Sequence, residues 1–346
     1  FRNAQLASLA ASMGLQLLMV VTQNRKKGLM RILKECLIVL TGFKAPVDAY
    51  RVAMGQEVEE DSLVDPMMEM TFFKCNEMFS ESIPGIIIQL SAIVSTINSG
   101  ENVKLMAYLS LAVSLLTTGF TSATISYDFD TDPQKRAFNP EFYGYVPDDG
   151  RKRALLFFMM ILMSATQILI KALLIIVLGS IGLRFPLYYL LADMAFYLLY
   201  KVARRDFIYW LPLEGVVGLI SSGLVRVVVK FVVDFVAIIH FRHPYEVGGL
   251  YFSLNMFLPL LGLVSLLALD LATENHSVST LALLKSLVTI LGGSSIVLLG
   301  AFLLLMNKEY RITFLSTETG GQMTRRLFLE GDDVSKAQVF KKHKSL

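Results

Sequence analysis

Lys74, Glu77 and Glu81 stand at positions i, i+3 and i+7, so a helix through them carries an ammonium and two carboxylates down one face. Arg226, Lys230 and Asp234, at i, i+4 and i+8, make a second stripe of the same kind. Lys171, Asp193 and Glu214 add isolated charges to apolar surroundings, and Gln89 adds a neutral amide. Two neighbouring carboxylates can share a proton, and a line of such groups can carry an ion or solvate a polar headgroup. Glu77, Glu81, Lys171, Asp193, Glu214, Arg226, Lys230 and Asp234 together cost about 20 kcal/mol, at about 2.5–3.5 kcal/mol for each charge placed mid-helix in a bilayer. That exceeds the net stability of an ordinary fold, about 5–15 kcal/mol. The charges are therefore expected to pair, to face water or to lie near an interface. Taken one at a time, each reads as a structural ion pair. Taken as a set, they read as a hydrophilic path or groove, a ladder of charge formed where the two stripes meet. Arg226 and Lys230 are too few for a voltage sensor.

The elements that must position these groups are membrane helices. Of the 346 residues 54% are hydrophobic and 18% charged, against about 45–50% and about 25% in soluble domains. The excess lies in blocks: 103–125, 154–179, 250–269 and 287–306 hold almost no charge. About 20 such residues cross a bilayer core. A soluble enzyme, a disordered chain and a fibrous protein are excluded on this basis. The runs are too long and too continuous for the strands of a membrane barrel, so the fold class is all-α, a polytopic helical membrane protein. Further spans are expected at 4–21, 183–200 and 225–240, with a weaker one at 29–43. Segments 44–66 and 126–153 read as water-facing loops, the second being the long aqueous loop. Residues 1–306 form the transmembrane domain, and 307–346 a polar tail that its Lys and Arg residues place in the cytosol.

Pro84-Gly85 interrupts one apolar segment and Pro212, followed by Gly215, another. The first is expected to split 67–97 into helix, break and helix, two half-helices that enter the membrane and turn. The pair is a weak pointer to a pseudo-repeat. His240 and His243 lack further ligands nearby and read as an interfacial corner, so no metal is expected. Cys36 and Cys75 read as free thiols. Gly292-Gly293-Ser294-Ser295 reads as a close-packing site between helices. No phosphate-cradling loop, zinc-protease helix or nucleophile elbow occurs, so neither enzyme chemistry nor a cofactor is expected. Basic residues do not interleave with aromatics, and no nucleic-acid partner is expected.

The stretch Lys74-Cys-Asn-Glu77-Met-Phe-Ser-Glu81-Ser-Ile-Pro84-Gly85-Ile-Ile-Ile-Gln89-Leu90 resembles the signature helix of the XK-related family, polytopic proteins of which several scramble phospholipids between leaflets. The likeness is specific over 74–90 and loose over 28–271; Gly85 stands where the family commonly has Gln. The resemblance implies about eight spanning helices plus two re-entrant half-helix pairs. It also implies a charge ladder, including Lys74, Glu77 and Glu81, along which headgroups move, with membrane phospholipids as the partner. The expectation is thus a scramblase-like lipid path. An ion channel or proton-coupled transporter would use the same stripe. A structural subunit, bound to a protein partner or to its own copies, would use the charges only to lock helices.

Overall fold

The computed structural model describes residues 2–54, 66–133, 136, 143–203, 230, 235–236, 248–273 and 278–307. Apart from turns and connecting segments, these residues are helical: α1 (Arg2–Gln23), α2 (Leu29–Leu40), α3 (Lys44–Ala53), α4 (Pro66–Glu77), a π-helical turn (Met78–Ser82), α5 (Ile83–Asn98), α6 (Leu105–Thr131), α7 (Gly150–Ile181), α8 (Arg184–Ala203), α9 (Gly248–Thr273) and α10 (Val278–Leu305). Among the described residues five helices are long and apolar enough to cross a membrane, Asn3–Gln23, Glu69–Asn98, Leu105–Thr131, Gly150–Ile181 and Leu287–Leu305. This is the pattern of a multi-pass integral membrane protein. α9 adds a shorter apolar piece, Ser253–Leu266. The chain forms two compact units, Phe1–Ser114 and Leu115–Leu346.

In the first unit the expected break at Pro84-Gly85 does not occur. Glu69–Asn98 runs on as one helical segment. Proline lacks the N–H of a regular helix and its ring crowds the carbonyl four residues back. The chain absorbs both by widening to a π turn before Pro84, with Ile83 N–H bonding to Met78 O. The carbonyl left without its usual helical donor is that of Ser80, and it accepts a short hydrogen bond from the Ser8 hydroxyl of α1. The proline is thus accommodated by a neighbouring helix, and this segment is not a re-entrant pair. Pro212 lies outside the described residues.

Three further expectations are corrected. Segment 44–66 is not a loop at its start: Lys44–Ala53 is α3, with Pro46 in the first turn, where its missing N–H costs nothing. Loop 126–153 is shorter, because α6 continues to Thr131 and α7 begins at Gly150. The weak span at 29–43 is only the 12-residue α2. It stops at a Schellman turn: Gly42 (φ 75°) takes the left-handed conformation, its N–H bonds Val39 O at 2.9 Å, and Phe43 N–H bonds Ile38 O at 3.1 Å.

In the second unit the core joins Leu156, Met160 and Met163 of α7 to Leu298, Leu299 and Phe302 of α10 and to Met256 of α9. The segment between α6 and α7 is held against helix ends by a buried carboxylate. Asp130 accepts from Gly144 N–H at 2.7 Å, Tyr145 N–H at 3.2 Å and Val146 N–H at 2.8 Å. Asn307, just past α10, donates its side-chain amide to Gly144 O at 2.7 Å. Asp149 caps α7 by accepting from the N–H groups of Arg151 and Lys152. Small residues allow close approach: a Cβ on Gly119 would lie 2.6 Å from Ile161 O. One on Gly292 would lie 3.0 Å from a methyl of Leu260, whereas Gly293 faces open space.

Gly119→Ala is therefore expected to force α6 from α7 and to lower stability by about 1–3 kcal/mol. Gly293→Ala is expected to leave the thermal midpoint of the purified protein in detergent unchanged or slightly raised. Equal midpoints for the two variants would contradict the packing.

Candidate functional site: buried and half-buried charges

The first unit contains a charge cluster that the sequence pattern does not single out. Lys44 of α3 is 2% exposed. Its ammonium donates to Glu35 Oε2 of α2 at 3.1 Å, to Asp48 Oδ1 one turn on at 2.8 Å and to Glu69 Oε1 of α4 at 2.9 Å. The same Nζ lies 4.7 Å from the centroid of the Phe73 ring. Arg51 grips Glu35 with both terminal nitrogens, one contact very short and the other 3.1 Å, and reaches Asp48 Oδ1 at 3.1 Å. Arg31 Nε lies 3.7 Å from Glu35 Oε1, and Gln23 of α1 donates to Glu69 Oε2 at 3.5 Å. Four helices therefore meet on one network of opposite charges.

The charges adjust one another. Burial by itself would raise the Glu35 carboxyl, but the Arg51 hydrogen bond and the Lys44 charge outweigh it and pull its pKa down to about 2. Burial likewise opposes the ammonium of Lys44, yet Asp48 and Glu69 hold its pKa above 10.5. Asp48 goes the other way: burial dominates over Lys44 and raises its pKa above 3.8. Its Oδ2 is buried without a hydrogen-bond partner. The cluster is a structural lock more than a path, since its charges are engaged with each other.

The sequence-predicted stripe is placed differently. Lys74 and Glu77 lie on α4 and Glu81 in the π turn, and all three are only partly buried. Glu77 feels the charges of both Glu81 and Lys74. Among the described residues the Glu77 and Glu81 carboxylates make no hydrogen bond or ion pair. Their flank toward α1 is polar: Asn76 donates to Ser12 O at 3.4 Å, and Ser80 accepts from Ser8. Pro84 and Gly85 open α5. Gln89 accepts from the Ser114 hydroxyl at 3.3 Å, tying α5 to α6.

In the second unit Lys230 and Asp193 are brought together in a very short ion pair, with Lys230 Nζ 5.7 Å from the Tyr197 ring centroid. Lys171 is 2% exposed, and its Nζ stands 5.6 Å from the Phe235 ring centroid. Nearby, the Ser122 and Ser164 hydroxyls both donate to Val236 O, the first at 2.6 Å. Gln167 donates to Asn255 O at 3.3 Å. Arg226 and Asp234, the other members of the second stripe, lie outside the described residues, as do His240 and His243. Among the described residues no three His, Cys, Asp or Glu side chains are grouped to hold a metal, and Cys36 and Cys75 are free.

The cluster around Lys44 was missed because Glu35 looks like a blemish in an apolar run and Lys44, Asp48 and Arg51 look like loop charges. The legible signal was their spacing: i, i+4 and i+7 is one helical face.

No family model matches the chain, and no curated protein or solved structure matches it.

Glu35→Gln, which leaves Lys44 and Arg51 short of an anion, is expected to cost about 3–5 kcal/mol. Asp48→Asn keeps the accepting Oδ1 and removes a costly buried charge, so a far smaller effect is expected. The Glu35 contribution is complete above its unfolded pKa near 4.5 and is lost as pH falls toward 2. Asp48, with its raised pKa, has the opposite sign. Thermal midpoints across pH 2–7 should therefore fall less steeply on acidification in Glu35→Gln than in the unaltered protein.

Proposed function

We propose that this protein is a scramblase-like membrane protein in which the Lys74–Glu77–Glu81 stripe offers a polar track to phospholipid headgroups while the acyl tails stay in lipid. The observation that carries the reading is the state of Glu77 and Glu81. They are partly buried carboxylates in a segment apolar enough to cross a membrane, with no hydrogen bond or ion pair among the described residues. A group so placed needs water or a polar ligand to offset its cost in a bilayer. The 30 residues of Glu69–Asn98 measure about 45 Å at the α-helical rise, against a hydrocarbon core of about 30 Å. Its Glu69 end can thus stand at the interface while the stripe descends from there into the apolar layer. The resemblance of residues 74–90 to the XK-related signature helix points to the same chemistry. Asp193 and Lys230 already satisfy each other, so the proposal rests on the stripe.

The test is lipid exchange in liposomes. Purified full-length chain in vesicles with fluorescent lipid in both leaflets should let dithionite bleach well past half of the signal. Glu77→Gln combined with Glu81→Gln is expected to slow passage about tenfold, equivalent to about 1.4 kcal/mol in barrier height. Bleaching that stops at half, with ion flux in the same vesicles, would replace a lipid path by an ion path. No flux of either kind would leave the charges a purely structural role.

A further inference from the structure

We infer that α2 is an interfacial helix that lies along the membrane surface and seats on anionic lipid headgroups. It does not depend on what moves along the polar stripe. The helix is inside out. Glu35 and Val39 are buried, whereas Leu29, Met30, Leu33, Leu37 and Leu40 are 69%, 81%, 54%, 62% and 56% exposed. At about 100° per residue these five occupy one arc of about 100°. Water would penalise such a face, and the length excludes a span: 12 residues reach about 18 Å, short of a core of about 30 Å.

Charge decides the occupant. Arg25, Lys26, Lys27, Arg31 and Lys34 fall within ten residues that hold no acid. Arg25, Lys26 and Lys34 are exposed, and Lys34 borders the apolar arc on the helical wheel. An apolar arc with Lys34 at its border and the exposed Arg25 and Lys26 just ahead of the helix is the pattern of a helix that inserts its leucines below the headgroups and pairs its cations with anionic lipid.

Depth is set by contacts. The buried side of α2 packs through Val39 and Cys36 onto Val20, Leu17 and Met19 of α1 and onto Phe73 of α4. Leu17 is six residues, about 9 Å, from the end of α1 at Gln23. The helix therefore stays at the level where α1 leaves the membrane, within the roughly 5–10 Å that interfacial helices penetrate. Phe43, just past α2, and Tyr50 and Met54, on or just past α3, are exposed at 63%, 66% and 66% and extend the apolar surface.

The experiment uses the full chain with Cys36→Ser and Cys75→Ser, reconstituted in nanodiscs, and one bimane label at Leu29→Cys, Leu33→Cys, Leu37→Cys or Leu40→Cys. Brominated phosphatidylserine and brominated phosphatidylcholine are the quenchers, with bromine at a shallow or a deep acyl position. The expected result is similar shallow quenching at all four sites, about twofold or more stronger from the serine lipid at low salt. That preference should be lost in 0.5 M NaCl and in Arg25→Gln/Lys26→Gln/Lys34→Gln. Deep quenching that rises from Leu29 to Leu40 would overturn the proposal in favour of a segment that dips into the bilayer. Absence of quenching would mean that protein or water covers the face. Equal quenching by the two lipids would remove the anionic preference. If the triple variant does not fold, the salt series on the labelled chain decides the electrostatic part.

Discussion

The architecture of the first unit hangs on one ammonium. Lys44 is almost fully buried and is held by three carboxylates from three helices, Glu35, Asp48 and Glu69. Removing such a group from water costs several kcal/mol, and only close, well-directed partners offset it. The requirement is mutual: with Lys44 in place, Glu35 cannot turn outward and α2 cannot rotate about its axis. α2 and α3 have 12 and 10 residues, too few to persist as isolated helices. Their exposed apolar faces give them no ordinary aqueous core to dock on. The charge network supplies the orientation that packing supplies elsewhere, and Arg51 and Arg31 close it on the α2 side.

The same economy of polar partners recurs where the backbone is irregular. The carbonyl of Ser80, which Pro84 cannot satisfy, finds the hydroxyl of Ser8. The backbone donors of Gly144, Tyr145 and Val146 find Asp130, which is 0% exposed. In apolar surroundings an unmet donor or acceptor has no water to fall back on. Helix widening, turns and loop anchoring are accordingly placed beside a side chain able to answer them. Against this background the partly buried Glu77 and Glu81 stand out. The charges of Lys44, Arg51 and Glu35 explain each other, whereas these two carboxylates have no hydrogen bond or ion pair among the described residues.

Most of the large elements were legible. Runs such as 154–179 and 287–306 announce helices because a bilayer demands about 20 apolar residues and their own backbone hydrogen bonds. The polar positions of the candidate site were legible too, as residue types at helical spacing. Three readings failed for one shared reason: local rules were applied where a neighbour decides. Pro84-Gly85 looked like a break, but α1 supplies the missing donor. Lys44–Ala53 looked like a loop because its charges were assumed to seek water. Asp130 looked like a loop carboxylate, although three backbone N–H groups of the following segment bury it.

The sequence by itself determined that the chain is helical, that it carries segments fit to cross a membrane, and which helical faces bear charge, because these depend only on composition and period. Tertiary structure decided which charges meet across helices, as Lys44 meets Glu35 and Glu69; helical spacing alone brings together only pairs such as Lys44–Asp48 and Arg51–Asp48. Whether a carboxylate is locked, as Glu35 is by Arg51 and Lys44, or left only partly buried without such a partner, as Glu77 is, depends on side chains carried by other helices. A charge in an apolar medium is governed by the few ångströms around it, and no local pattern in the chain encodes that distance.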